Sequence, residues 1–409
     1  MDAIVKLLNL VNKAGLYPEI MDVKGDNSKD PYFEINGKNL LTFNSCNYLG
    51  LSNNDEVRKV IADSFLKYGV HPSNSTLVGG LWDVHREFEH RLASFFGYED
   101  SMLFATTSAV NIGVIPAISN LPLVDVLPAM KLLVGSTDTT IFSDELNHAT
   151  IVDGCRITKA PVVIYKHMDF ADLGKKLKEC KTKRKIIITD GIFSMDGHIL
   201  DLPKLVEVKN RHKALLYVDD AHSVGVLGKN GKGLQEHFGI DPKIGIDFYV
   251  ASLSKGFGIT GGCVCASKDF IDFLRVTARS YIFSRTYLAP LAEGGIKVLD
   301  ILESQEGEKL TKTLWNGTNQ LIDGLNKLGF NTLNTKTPIV PVLIGDEKKA
   351  IKLSNALTEN GIYAPAMRWP AVGKGQARLR FMVTSLHTEK QVQLLLNLLE
   401  KYGKEFKVI

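Results

Sequence analysis

A chain of 409 residues is too long for one hydrophobic core, so two or more domains are expected. Its composition, 44% hydrophobic and 23% charged, is that of a globular protein, and a net charge of +4 over this length argues against a nucleic-acid partner. Five cysteines, an odd number without framework spacing, argue against a disulfide scaffold and for a reducing, cytoplasmic setting.

Met1 runs directly into Asp2 and an amphipathic stretch, so no secretory leader is expected. The most apolar region, Ala109 to Gly135, holds Asn120, Asp125, Lys131 and three prolines, which exclude a membrane span of about 20 apolar residues. It reads as a helix followed by a long apolar loop packed on the protein or at a subunit contact, or else as a flap lining a route for an acyl chain. Beyond it, helical stretches (173–181, 202–212, 270–280) are interspersed with apolar strand-like runs (185–190, 214–219, 248–251, 262–266). That alternation predicts an α/β fold with a mostly parallel sheet covered on both faces. Ligands of such sheets bind beyond the carboxyl ends of the strands, where Asp190, Asp219 and Lys255 fall. Cys263 and Cys265 share a face of the last run, but no histidine or further cysteine lies nearby to complete a metal site, and none is expected. A long helical connection, 296–328, broken near Gly307, leads to strands at 337–344 and 377–383 of a smaller α+β C-terminal domain. The expected division is an N-terminal segment 1–60, a large domain 61–292 and a small domain 293–409.

Two of these runs carry chemistry. Lys255 stands behind Ser252 and Ser254 and ahead of Gly256 and Gly258, a composition that suits a tight loop presenting an amine to a ligand. Asp219 ends an apolar run and is followed by Asp220 and His222. A lysine able to form a Schiff base and an acid able to hold a cationic ring nitrogen are what a pyridoxal phosphate enzyme requires. Alternation along the strand turns one of the two acids toward the ring, and both remain candidates.

With these residues stand the blocks Asn44-Ser-Cys-Asn-Tyr-Leu-Gly-Leu51, Ser143-Asp-Glu-Leu-Asn-His-Ala-Thr-Ile-Val-Asp-Gly154, Thr189-Asp-Gly-Ile-Phe-Ser-Met-Asp-Gly197 and Val218-Asp-Asp-Ala-His-Ser-Val-Gly-Val-Leu-Gly228. In this order, and with Arg378-Leu-Arg380 at the far end, the chain resembles the α-oxoamine synthases, a fold-type I pyridoxal phosphate family. The family includes 8-amino-7-oxononanoate synthase, 2-amino-3-ketobutyrate ligase, 5-aminolevulinate synthase and serine palmitoyltransferase. The resemblance implies that Lys255 bears the cofactor and then serves as base and acid at the substrate α-carbon. It favours Asp219 over Asp220 as the partner of the ring nitrogen, places His222 on the phenolic oxygen, and stacks His148 on the ring face. Thr107, Ser108, Ser194 and Ser252 are expected around the cofactor, chiefly at its phosphate. Ser284 and Thr286 match a stretch that reaches the phosphate of a partner subunit, hence an expected homodimer. Arg368 matches the arginine that receives the amino-acid carboxylate, whereas Arg378 and Arg380 are expected to serve structure.

The implied reaction is a decarboxylative Claisen condensation: a small amino acid, deprotonated at its α-carbon, attacks an acyl thioester and releases thiol and carbon dioxide to give an α-aminoketone. The ligase follows this scheme without net loss of carbon dioxide, and an aminotransferase would share the same cradle, so both stand as alternatives. Departures fall near the substrate. Cys46 follows Ser45 in place of the usual first asparagine of the pair before Tyr-Leu-Gly-Leu, Val70 to Leu77 replaces a glycine- and serine-rich segment, Trp82 replaces a smaller residue, and the stretch 121–135 is longer than usual. These imply an unusual acyl thioester, on coenzyme A or an acyl carrier protein, or else drift at tolerant positions.

Overall fold

The computed structural model describes residues 2–13, 21–24, 30–70, 74–123 and 137–409. Residues 71–73 and 124–135, parts of the two departing stretches, lie outside them. The strands β1 (Val23–Lys24), β2 (Tyr32–Ile35) and β3 (Lys38–Thr42) form an antiparallel ribbon. The strands β4 (Asp100–Phe104), β5 (Thr139–Asp144), β6 (Val162–Tyr165), β7 (Arg184–Asp190), β8 (Leu215–Asp219), β9 (Phe248–Ser252) and β10 (Gly262–Ala266) build a seven-stranded sheet in the order β4-β10-β9-β8-β7-β5-β6. The strands β11 (Ile339–Gly345), β13 (Ala366–Met367) and β14 (Ala377–Met382) form a third sheet, while β12 (Ile362–Tyr363) returns to pair in parallel with β3.

The central sheet is apolar throughout because both of its faces are covered. Ile187, Leu216, Val218, Tyr249 and Ala251 point into one core, and Ile186, Ile188, Tyr217, Phe248 and Val250 into another. This is the period of two that separates the faces of a strand, with apolar residues at both phases. Burying each large side chain contributes roughly 1.5–3 kcal/mol, so these strands form a rigid floor for whatever lies at their ends. The parallel set runs β6-β5-β7-β8-β9. Only β10 runs against the other six strands, because residues 253–261 are too few for the dozen or so of a crossover connection.

Helices begin where capping chemistry allows. Asp201 accepts from Lys204 N at 3.3 Å to start Leu202–His212, and Thr106 accepts from Ala109 N at 3.1 Å to start Thr107–Asn120. The long helical connection is two helices, Ala289–Leu302 and Gln305–Leu328. The break comes before Gly307, at Ser304, whose hydroxyl caps Glu306 N. Gly307 sits inside the new helix, where a Cβ would stand 2.7 Å from the Ile301 and Leu302 carbonyl oxygens, so glycine permits the sharp turn between the two helices. Among the described residues no helix is long and apolar enough to cross a membrane.

Candidate active site

A cavity of about 300 Å³ opens beyond the carboxyl ends of β7, β8 and β9. Eight of the residues singled out in the sequence line it: Thr107, Ser108, His148, Ser194, Asp219, His222, Ser252 and Lys255. They come from five separate segments. What brings them together is the parallel sheet, which delivers the ends of its strands and the starts of the following helices to one edge.

The two adjacent acids part company. Asp219 is turned to the cavity, and its Oδ2 accepts from Asn111 Nδ2 at 2.7 Å. Asn111 is itself oriented by Tyr217, whose hydroxyl donates to Asn111 Oδ1 at 2.5 Å. Asp220 points the opposite way, accepting from Leu234 N at 2.8 Å, from the Tyr249 hydroxyl at 2.9 Å, and from Ser223. Buried among these donors, its carboxyl is pushed up to about 7. Gly191 packs against it so closely that a Cβ would meet Asp220 Oδ1 at 2.0 Å. Asp220 therefore belongs to the scaffold. Asp190, paired in register with Asp219, also faces the cavity, and burial followed by the Asp219 charge holds its carboxyl well above the usual range.

Lys255 is half-buried, and burial pulls its amine below the ordinary lysine range against the opposing fields of Asp219, Cys46 and Asp190. A larger neutral fraction is what a proton-accepting amine needs near neutral pH. His222 is held neutral by burial and by the charges of Lys255 and Arg380. Its Nδ1 lies 2.8 Å from the hydroxyl of the fully buried Tyr48, 174 positions away in sequence. Burial also keeps that phenol protonated. A phenol donating to Nδ1 would leave Nε2 as the N–H donor of the ring. Removing the hydroxyl (Tyr48→Phe) is expected to lower kcat roughly tenfold, the kinetic equivalent of one hydrogen bond of about 1–1.5 kcal/mol. Steady-state rates check this, and a loss under twofold would show that the phenol does not orient the ring.

At the other end of the cavity, Thr106 rather than Thr107 caps the Thr107–Asn120 helix. The Thr107 Oγ1 is buried without a hydrogen-bond partner, at a helix N-terminus whose N–H groups and dipole favour an anion. Gly262 lies against it, since a Cβ there would come within 2.7 Å of the Thr107 backbone. Ser252 and Ser254, their hydroxyls 3.0 Å apart, add donors on the same wall. An orphaned hydroxyl beside a helix start, an acid on the floor and a half-buried lysine between them fit pyridoxal phosphate, with its phosphate, ring nitrogen and aldehyde.

His148 caps the Ala149–Ile157 helix, with Nδ1 2.8 Å from the Thr150 hydroxyl, and its backbone N–H donates to Asp190 Oδ2 at 2.6 Å. Ser284 and Thr286 do not reach this cavity. Ser284 is exposed, and Thr286 lines a separate small cavity of about 80 Å³, its hydroxyl 3.2 Å from that of Thr76. Arg368 follows β13, outside the lining residues. Arg378 is structural as expected, ion-paired with Asp196 and bonded to the Gln376 carbonyl. Arg380, outside the lining residues, is tied to the hairpin that carries Ser194. Its Nη1 donates to the Ser194 carbonyl at 2.8 Å, its Nε is buried without a partner, and its charge acts on both Lys255 and His222. Two arginines two apart on one strand share a face but sit at different depths, which a sequence pattern does not resolve.

Residues 38–399 match the family model of class I and II aminotransferases. The 8-amino-7-oxononanoate synthase of Symbiobacterium thermophilum is 38% identical over 410 aligned residues, covering 100% of this chain and 99% of that protein. The same-named enzyme of Thermoanaerobacter pseudethanolicus is 38% identical, covering 100% of this chain and 98% of its own. Among solved structures, a serine palmitoyltransferase from S. paucimobilis, with bound PLP and myriocin, superposes with a TM-score of 0.88 at 27% identity over 100% of this chain and 98% of that one. The chain belongs to the class I and II aminotransferase family, in its α-oxoamine synthase branch.

Proposed function

We propose that this chain is a pyridoxal phosphate-dependent C-acyltransferase that condenses a small L-amino acid or glycine with an acyl thioester to give an α-aminoketone. The observation that carries the reading is Lys255 and Asp219 facing one cavity, in a chain 38% identical along its length to 8-amino-7-oxononanoate synthases. When bound, pyridoxal phosphate supplies an electron sink for the charge that develops at the amino-acid α-carbon.

This chain's own groups do the rest. Thr107, Ser108 and Ser252, at and beside the start of the Thr107–Asn120 helix, would hold the cofactor's phosphate as hydroxyl donors. Asp219, oriented by Asn111, would keep the cofactor's ring nitrogen protonated, and His222 would hydrogen-bond its phenolic oxygen. Ser194 lies on the wall of the cavity beside them. Lys255 takes the α-proton and later returns one. His148 covers the ring face and assists condensation. A planar guanidinium suits a carboxylate, so Arg368 receives that of the amino acid. Ser284 and Thr286, away from the cavity of their own chain, reach the phosphate of the second subunit of a homodimer. The acyl group arrives on coenzyme A or on an acyl carrier protein.

The test is a visible-absorbance titration of the purified holoenzyme with glycine, L-alanine and L-serine, followed by an acyl thioester. One amino acid is expected to shift the cofactor band saturably, and the thioester to perturb it again with release of free thiol. A bound cofactor that no amino acid perturbs would overturn the assignment. Conversion to the pyridoxamine form by an amino donor would favour an aminotransferase instead.

A further inference from the structure

Outside the cavity, a chain of polar contacts holds the turn that carries His148. Asp144, the last residue of β5, is 2% exposed, and its two oxygens gather three donors. Oδ1 accepts from Leu146 N at 2.9 Å and lies 3.0 Å from His167 Nδ1, while Oδ2 accepts from Met168 N at 3.0 Å. The His167 backbone N–H donates to Glu145 Oε1 at 2.8 Å. This wraps the loop after β6 onto the turn so tightly that Met168 takes φ +51°, a left-handed conformation that non-glycine residues hold only when their surroundings impose it.

From that turn the geometry leads to the site. Asn147 N–H donates to the Asp144 carbonyl at 3.2 Å, and the Asn147 side chain bridges the Ile188 carbonyl at 2.8 Å and Asp190 N at 3.0 Å. The next residue, His148, is anchored on Asp190. On its other side, His167 Nε2 lies 3.1 Å from His198 Nδ1, with the two rings stacked at 5.3 Å and Phe193 edge-on at 4.4 Å. His198 ends the 193–198 hairpin, which carries Ser194 into the cavity and grips the C-terminal unit through Thr335 to the Gly197 carbonyl. One imidazole thus ties together two segments that supply cavity residues.

We propose that His167 is a positioning residue for His148, acting through an Nδ1–H donated to Asp144 that sets the turn from 144 to 148. The proposal rests on the acyl-transfer reading for the role of His148, but the tether itself does not. His167→Phe is expected to lower kcat for condensation at least tenfold, with cofactor content unchanged and the KM for the amino acid within about threefold. His167→Asn, whose Nδ2 offers a donor near the position of Nδ1, is expected to recover most of the rate, and His167→Gln is not. In a His148→Ala background, His167→Phe is expected to change the rate less than twofold, because the group it positions is gone. Losses that multiply in the double variant, or an Asn variant no better than Gln, would overturn the proposal. The same cycle read by amino-acid titration in visible absorbance needs no thioester. Non-additivity there, in an enzyme that condenses nothing, would keep the tether and sink the acyl-transfer reading.

Discussion

Replacement of Lys255 by alanine is expected to lower kcat by about 10⁴-fold or more, since one substitution removes both the covalent anchor of the cofactor and the base at the α-carbon. The residue sits in the loop after β9, and burial, with Arg380 adding to the effect, raises the fraction of its amine that is neutral and free to take a proton. Stability should change little, because the side chain is half-buried and takes no part in the core. Two measurements check this: steady-state thiol release, and borohydride reduction of the holoenzyme followed by peptide mapping. The wild-type protein should carry the reduced cofactor on the peptide containing Lys255, and the variant should carry none. A variant retaining more than about a hundredth of the rate would remove Lys255 from the reaction.

Asp219→Asn should lower kcat by about 10³-fold, in the range for loss of a preorganised charge in a water-poor site. The substitution is isosteric, but it sets an amide against the Asn111 Nδ2 that now donates to the carboxylate at 2.7 Å. The neighbouring Asp220→Asn is the control. It should leave kcat within a few-fold and act on stability instead, since Asp220 serves Ser223, Leu234 and Tyr249. Its folded-state carboxyl, at about 7, lies above the value of 3.8 for a free side chain. The folded protein therefore holds a proton that the unfolded chain releases, and this stabilisation is full below about pH 4 and lost as pH rises through 7. Thermal midpoints between those pH values should fall more steeply for the wild-type protein than for Asp220→Asn. Equal catalytic losses at the two positions would mean that the acids share the ring nitrogen.

The strands that carry the chemistry were legible in the sequence because they are buried on both faces. Runs such as Ile186-Ile187-Ile188 need no partner to be recognised. The Leu202–His212 helix was legible for another reason, since Asp201 and Pro203 mark its start in local chemistry. Less visible were β4 and β5, short strands whose polar ends blur the pattern, β6, only four residues long, and the antiparallel sense of β10, which depends on the length of a link. Contacts far apart in sequence were invisible. Nothing near Tyr48 announces His222, and nothing near His167 announces Asp144. The resemblance supplied the choice of Asp219 over Asp220, and the geometry supplies the reason: three donors hold Asp220 away from the cavity.

The parallel pairing of β3 with β12 bears on how the protein is made. Leu41 N donates to the Gly361 carbonyl, Ser385 N to the Tyr48 carbonyl, and His387 Nε2 lies 2.8 Å from the Thr42 carbonyl, 345 positions away. On the ribosome, the segment bearing Tyr48 emerges early and waits for nearly the whole chain before its partners exist. The middle of the chain can collapse around its sheet while the first strands are still unpaired, and the segment bearing Tyr48 is pinned only once residues 361–387 arrive. A nascent chain stopped anywhere before residue 361 should therefore hold the cofactor cradle without its lid of early residues, so cofactor capture during synthesis is a late event, timed by the C-terminus.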